Sequence, residues 1–139
     1  MRGTISSRSR KSSMADGTFD IEAAKRNYRA RILKQREERH DLWAKAREEA
    51  DRAIEIIVDE YSPMRVIQWG SILRADLFTE VSDIDIAIEG IDDMETWSRL
   101  ERRLLDIVSF PLDLVRFDRL HPEHRKQILM RGRVVYERE

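Results

Sequence analysis

The segment Ser82-Asp83-Ile84-Asp85-Ile86-Ala87-Ile88 opens by alternating polar and apolar side chains. A period of two marks a half-buried β-strand. It puts Ile84, Ile86 and Ile88 on a buried face and brings Asp83 and Asp85 together on the other. A slip of one residue would exchange the faces, so the pattern also fixes register. Two residues along a strand span ~6.6 Å. At that separation two carboxylates repel by about 2.5 kcal/mol for an effective dielectric near 20. The strand therefore asks for an apolar layer behind it and a cation in front. Mg²⁺ takes one or two carboxylates with phosphate oxygens and waters, a set these acids can join. A lone Asp-x-Asp is more often a solvated pair, so the rest of the chain has to decide.

Two further features bear on it. A strand from Met64 to Trp69 ends at Gly70-Ser71, which opens a short helical turn. Glycine lets a backbone approach a phosphate closely, and a hydroxyl with free N–H groups at a helix start can donate to phosphate oxygens. Alone, Gly-Ser is an ordinary turn. The second feature is Leu112-Asp113-Leu114-Val115, a carboxylate inside an otherwise apolar strand. Read as a buried acid, Asp113 needs a charge partner or a metal. If its strand neighbours the Asp83/Asp85 strand, three carboxylates can hold two ions ~3.5–4 Å apart. A salt bridge from Asp113 to Arg116 is the bland alternative, and strand geometry does not favour it.

Along the chain, residues 1–17 are rich in Ser, Arg and Gly and read as a disordered tail, with Met14 a candidate start. Residues 18–40 read as a charged N-terminal helix with a narrow stripe of Ile21, Ala24, Tyr28 and Ile32. It is either a solvated helix or an arm for a partner. Residues 41–139 read as the functional domain. Its first helix, 41–61, buries Leu42, Ala46, Ala50, Ala53, Ile54, Ile57 and Tyr61 and stops at Ser62-Pro63. After the strands at 64–69 and 84–88 come a helix at 94–108 with Trp97, Leu100, Leu104 and Val108 on one stripe, and a strand at 112–117. A helix follows at 122–131, with Pro122 in its first turn and Gly132 at its end, and the last strand is 133–136. This order predicts an α/β domain. It has a small mixed sheet, helices mainly on one face, and an N-terminal helical extension.

Composition excludes several classes. With 139 residues there is room for one real core. Charged residues make up 38%, so that core is small and its helices are well solvated. There is no cysteine, which removes disulfides and thiolate chemistry and suits a cytoplasmic protein. No apolar run is long enough for a membrane span. The formal net charge is −1, yet Arg2, Arg8, Arg10 and Lys11 sit before Met14 without an acid. The remainder carries −5, a poor balance for holding a nucleic-acid polymer. His40, His121 and His124 lack ligand spacing, and Trp43, Trp69 and Trp97 read as core, with Trp69 noteworthy for preceding Gly70.

Taken together, Gly70-Ser71-Ile72-Leu73-Arg74-Ala75-Asp76 and Ser82-Asp83-Ile84-Asp85-Ile86-Ala87-Ile88-Glu89-Gly90 resemble the minimal nucleotidyltransferases of the DNA polymerase β-like superfamily. Two departures stand out: the gap from Ile72 to Ser82 is one residue longer than usual, and Ala75 replaces a customary glycine. The resemblance covers roughly residues 41–137, including the closing Gly132-Arg133-Val134-Val135-Tyr136-Glu137. It implies the polymerase β-like fold and a nucleoside triphosphate, most simply ATP, gripped by Gly70, Ser71 and Arg74. Two Mg²⁺ ions would be held by Asp83, Asp85 and Asp113, with Asp113 assisting deprotonation of an acceptor hydroxyl. Minimal members commonly pair with a small helical HEPN-type toxin, which the transferase silences by AMPylation. The resemblance thus implies the antitoxin of such a pair. A protein that neutralises its partner only by covering it and an antibiotic-modifying transferase remain as alternatives, and a homo-oligomer stays open.

Overall fold

The computed structural model describes residues 19–139. The expected tail at 1–17 lies outside them. The chain divides into two compact units after Arg36.

One helix, α1 (Ile21–Tyr61), stands where two were expected. No glycine or proline interrupts the sequence around His40-Asp41, so nothing there stops backbone hydrogen bonding. In the first unit, Asp20 caps the helix by accepting from the Ala23 N–H at 3.0 Å. Tyr28 and Leu33 are exposed there, and the Arg31 guanidinium lies over the Tyr28 ring.

In the second unit α1 ends as expected, with Ser62 at φ 45° and Pro63 beyond it. The remaining elements are β1 (Arg65–Trp69), β2 (Ile84–Glu89), α2 (Met94–Ile107), β3 (Leu112–Arg116), α3 (Pro122–Arg131) and β4 (Arg133–Glu137). Two 3₁₀ turns, Ser71–Leu73 and Phe117–Arg119, complete the order. The four strands form one mixed sheet in the order β3-β2-β1-β4. β1 runs antiparallel to β2 and β4, whereas β2 and β3 are parallel and need α2 as their crossover.

The main core lies on one face of this sheet. Ile84, Ile86 and Ile88 meet Ala46, Ala50, Ala53 and Ile57 of α1 and Trp97, Leu100 and Leu104 of α2. The alternation in β2 therefore buries the isoleucines as its pattern requires. Each such side chain contributes ~1.5–3 kcal/mol on burial. Gln68 is the polar exception, fully buried, with its Oε1 accepting from Arg47 of α1 at 3.2 Å. A smaller cluster of Ile67, Ala87, Phe117 and Ile128 fills part of the opposite face beneath α3. Two helices on one face and one on the other give the expected layering.

Local signals set the helix ends. Asp93 caps α2 by accepting from the N–H and hydroxyl of Thr96 at 2.8 and 2.7 Å. Pro122 opens α3. Gly132 closes it, but for a reason other than a left-handed turn. Its φ is −93°, and a Cβ there would lie 2.6 Å from the Ile128 carbonyl oxygen and 2.7 Å from that of Gln68.

Candidate active site

β1 leaves the sheet at Trp69, which pairs with Asp85 of β2. The next residue, Gly70, has φ 84° and ψ −163°, a region open essentially to glycine. A Cβ on Gly70 would collide with Oδ2 of Asp85. The glycine thus serves two needs: the backbone must reverse here, and the carboxylate of Asp85 must lie against the turn. Ser71 then begins the 3₁₀ turn, whose start carries no side-chain cap, leaving it open to an anion. The indole N–H of Trp43 donates to the Ile72 carbonyl at 2.7 Å and ties this turn to α1.

On the other side of β2, Asp85 stands opposite Asp113 of β3. Asp83 lies two residues before Asp85, immediately ahead of the strand. The sheet therefore gathers Gly70-Ser71, Asp83, Asp85 and Asp113 at one end of three adjacent strands. The Asp85 carboxyl is pushed up from its usual range to about 7, first by burial, then by the charges of Asp113 and Asp83. Two acids close enough to perturb a third make a negative pocket that a divalent cation would relieve.

One sequence expectation changes in detail, and two arginines take partners of their own. Asp113 is exposed rather than buried, because β3 is an edge strand and the acid points away from the α1–α2 core. Register with Asp85, not burial, brings it to the site. Arg116 is engaged elsewhere: its guanidinium donates to the carbonyls of Ile91 and Asp92 and lies over Trp97. Arg74 is exposed, and its guanidinium binds both carboxylate oxygens of Asp76 at 3.3 and 3.1 Å. That bond holds the Asp76 carboxyl below its ordinary range.

The loop between the turn and β2 is anchored by Phe78, fully buried and edge-on to Phe110, and by Ser82 Oγ accepting from the Thr79 N–H at 2.9 Å. Sequence reasoning missed Phe78 and the role of Trp43. The signal for the former was a lone aromatic in a polar loop. Glu89 sits at the far end of β2, paired with Arg65 at 2.8 Å, and takes no part in the acid cluster.

Among the described residues, no three His, Cys, Asp or Glu side chains converge into a preformed metal cage. Mg²⁺ seldom uses one, keeping waters and substrate phosphates in its shell. An open carboxylate set beside an uncapped turn has the donor chemistry for that ion.

The sequence model of the polymerase beta nucleotidyltransferase family matches residues 51–139, a span that includes the turn and all three acids. The chain belongs to this family. It is a nucleotidyltransferase, and the matched span carries the whole sheet. Two solved structures share its fold. A minimal nucleotidyltransferase aligns with TM-score 0.56 and 22% identity over 66% of this chain and 93% of that one. A toxin–antitoxin complex with AMP-PNP aligns with TM-score 0.54 and 20% identity over 65% and 74%. Searched against curated protein sequences, the chain has no match. None of its described helices is long and apolar enough to cross a membrane.

Proposed function

We propose that this nucleotidyltransferase moves AMP from ATP to a hydroxyl of a partner protein, acting in the cytoplasm as the antitoxin of a HEPN-type toxin. The observation that carries the chemistry is the register of Asp85 with Asp113, with Gly70 held against Asp85 on the other side. The partner is suggested by the toxin–antitoxin complex whose fold the chain shares.

In this reading the Gly70-Ser71 turn receives the β- and γ-phosphates, the Ser71 hydroxyl donating to them. Asp83, Asp85 and Asp113 would hold two Mg²⁺, which would neutralise phosphate charge and favour ionisation of the acceptor hydroxyl. Asp113, exposed on the edge strand β3, takes the acceptor proton. The acceptor oxygen bonds to the α-phosphorus as the bond to the bridging oxygen breaks, and pyrophosphate leaves. Positioning and charge stabilisation supply the rate, with no covalent enzyme intermediate.

The test is calorimetric titration with ATP and GTP, each with and without Mg²⁺, followed by label transfer from α-labelled ATP to a co-purified toxin. Mg²⁺-dependent binding that vanishes in Asp83→Asn supports the reading. Absence of transfer with every nucleotide and acceptor would sink it. The exposed basic stretch of α1 with Lys25, Arg26, Arg29, Arg31, Lys34 and Arg36, which lies outside the family match, favours a second reading, in which the chain neutralises its partner by covering it. The double variant Asp83→Asn/Asp85→Asn separates them: an enzyme loses neutralisation, a covering protein keeps it.

A further inference from the structure

The face that carries the acids continues into a hydrophobic hollow. Side chains two apart on a strand share a face, so Val115 lies on the same side as Asp113, ~6.6 Å further along β3. Trp69, the register partner of Asp85, occupies that side too. α3 crosses this face and is fastened to it by buried Ile128. Between α3 and the strands lies a cavity of about 390 Å³, floored by Val115, Leu120 and Ile128 and walled by Trp69, His124, Gln127 and Arg131. Gln127 and Arg131 are exposed on α3 and stand at its mouth.

This combination suits one kind of occupant. The apolar floor rejects a phosphate, while the acids and the turn beside it ask for phosphate and its metal. A ligand that serves both has a flat apolar ring about one sugar away from a phosphate. Trp69 offers a wide aromatic face for such a ring. The Gln127 carboxamide presents a donor and an acceptor together, the pair that matches the amino and N7 edge of adenine. At 390 Å³ the space admits a purine with its sugar.

We propose that the cavity between α3 and the sheet receives the purine base of the donor nucleotide, stacked against Trp69 and read along its edge by Gln127. The proposal rests on the nucleotidyl-transfer reading for the placement of the phosphates. It makes α3, rather than the turn, the element that chooses among nucleoside triphosphates.

The experiment is titration calorimetry on the full chain with ATP, CTP, adenosine and inorganic tripolyphosphate, in Mg²⁺ and in chelator. The proteins compared are wild type, Trp69→Ala and Gln127→Ala. Base–aromatic stacking predicts that Trp69→Ala weakens ATP by roughly 5–150-fold while leaving tripolyphosphate unchanged. Gln127→Ala, exposed on its helix and so harmless to folding, narrows the preference for ATP over CTP. If both variants bind ATP as tightly as wild type, the base lies elsewhere and the transfer reading stands. Equal loss of ATP and tripolyphosphate in both variants would also overturn the proposal, because the effect would be structural. Adenosine binding that Trp69→Ala abolishes, with no Mg²⁺-dependent gain from the triphosphate, would support the cavity and sink the transfer reading.

Discussion

At Asp85 the proposed chemistry works against stability. Its carboxyl is raised to about 7, so the folded state holds that proton more tightly than the unfolded chain, where the value is about 4. The native state thus carries more protons between these values, and stability falls as pH rises from about 4 to about 7, then levels off. Asp85→Asn removes the effect. Thermal melts should show the variant more stable than wild type at pH 8, with a flatter slope between pH 4 and 7. Added Mg²⁺ should raise the melting temperature of wild type at pH 8 but not of the variant. Transfer should drop by more than roughly 100-fold, since losing even an outer-shell partner of a metal costs 10–100-fold. An unchanged rate would remove Asp85 from the site. At Gly70 the backbone and the Asp85 carboxylate both exclude a side chain. Gly70→Ala should cost about 1–3 kcal/mol in denaturant unfolding and weaken Mg²⁺–ATP binding, so wild-type affinity would refute the close packing. The acids were legible from sequence because alternation names a face. The exposure of Asp113 was not, because an apolar neighbourhood in sequence does not reveal whether a strand is central or at an edge.

Among the elements, the strands and the α2 and α3 helices follow from their patterns within a residue or two. α1 does not, since its polar stretch near residue 40 looked like an end although no breaker is present. Termination needs a physical cause, and Ser62-Pro63 supplies one. Long-range hydrogen bonds were equally invisible to periodicity: the Trp43 indole reaches Ile72 from 29 residues away. Trp43→Phe keeps most of the packing and removes that bond. It should lower stability by about 1 kcal/mol. Nucleotide titration should show a weakening of several-fold, and full affinity would show that the turn holds its shape unaided. Gly132 was placed correctly at the end of α3, but close packing against β1 explains it better than left-handed geometry. Gly132→Ala must push two backbone carbonyls aside and should cost about 1–3 kcal/mol by chemical denaturation.

For the whole molecule, the division after Arg36 sets the expected response to truncation. The family match begins at residue 51, and the buried core lies beyond Glu37. Deleting residues 1–36 should leave one cooperative melt and intact Mg²⁺–ATP binding. Loss of either would mean that the N-terminal stretch belongs to the domain. Residues 24–36 carry Lys25, Arg26, Arg29, Arg31, Lys34 and Arg36 without an acid, so partner capture by the full chain should weaken with salt more steeply than by the truncated one. The sheet order has one more implication. β3 is the outermost strand beside β2, and Asp113 is exposed on it, so the acid assigned to the acceptor sits at the rim of the fold rather than at the bottom of a cleft. A loading dock serves large cargo because nothing has to be carried indoors. With Asp113 on such a margin, the proposed transfer has room for a hydroxyl that is still attached to another folded protein.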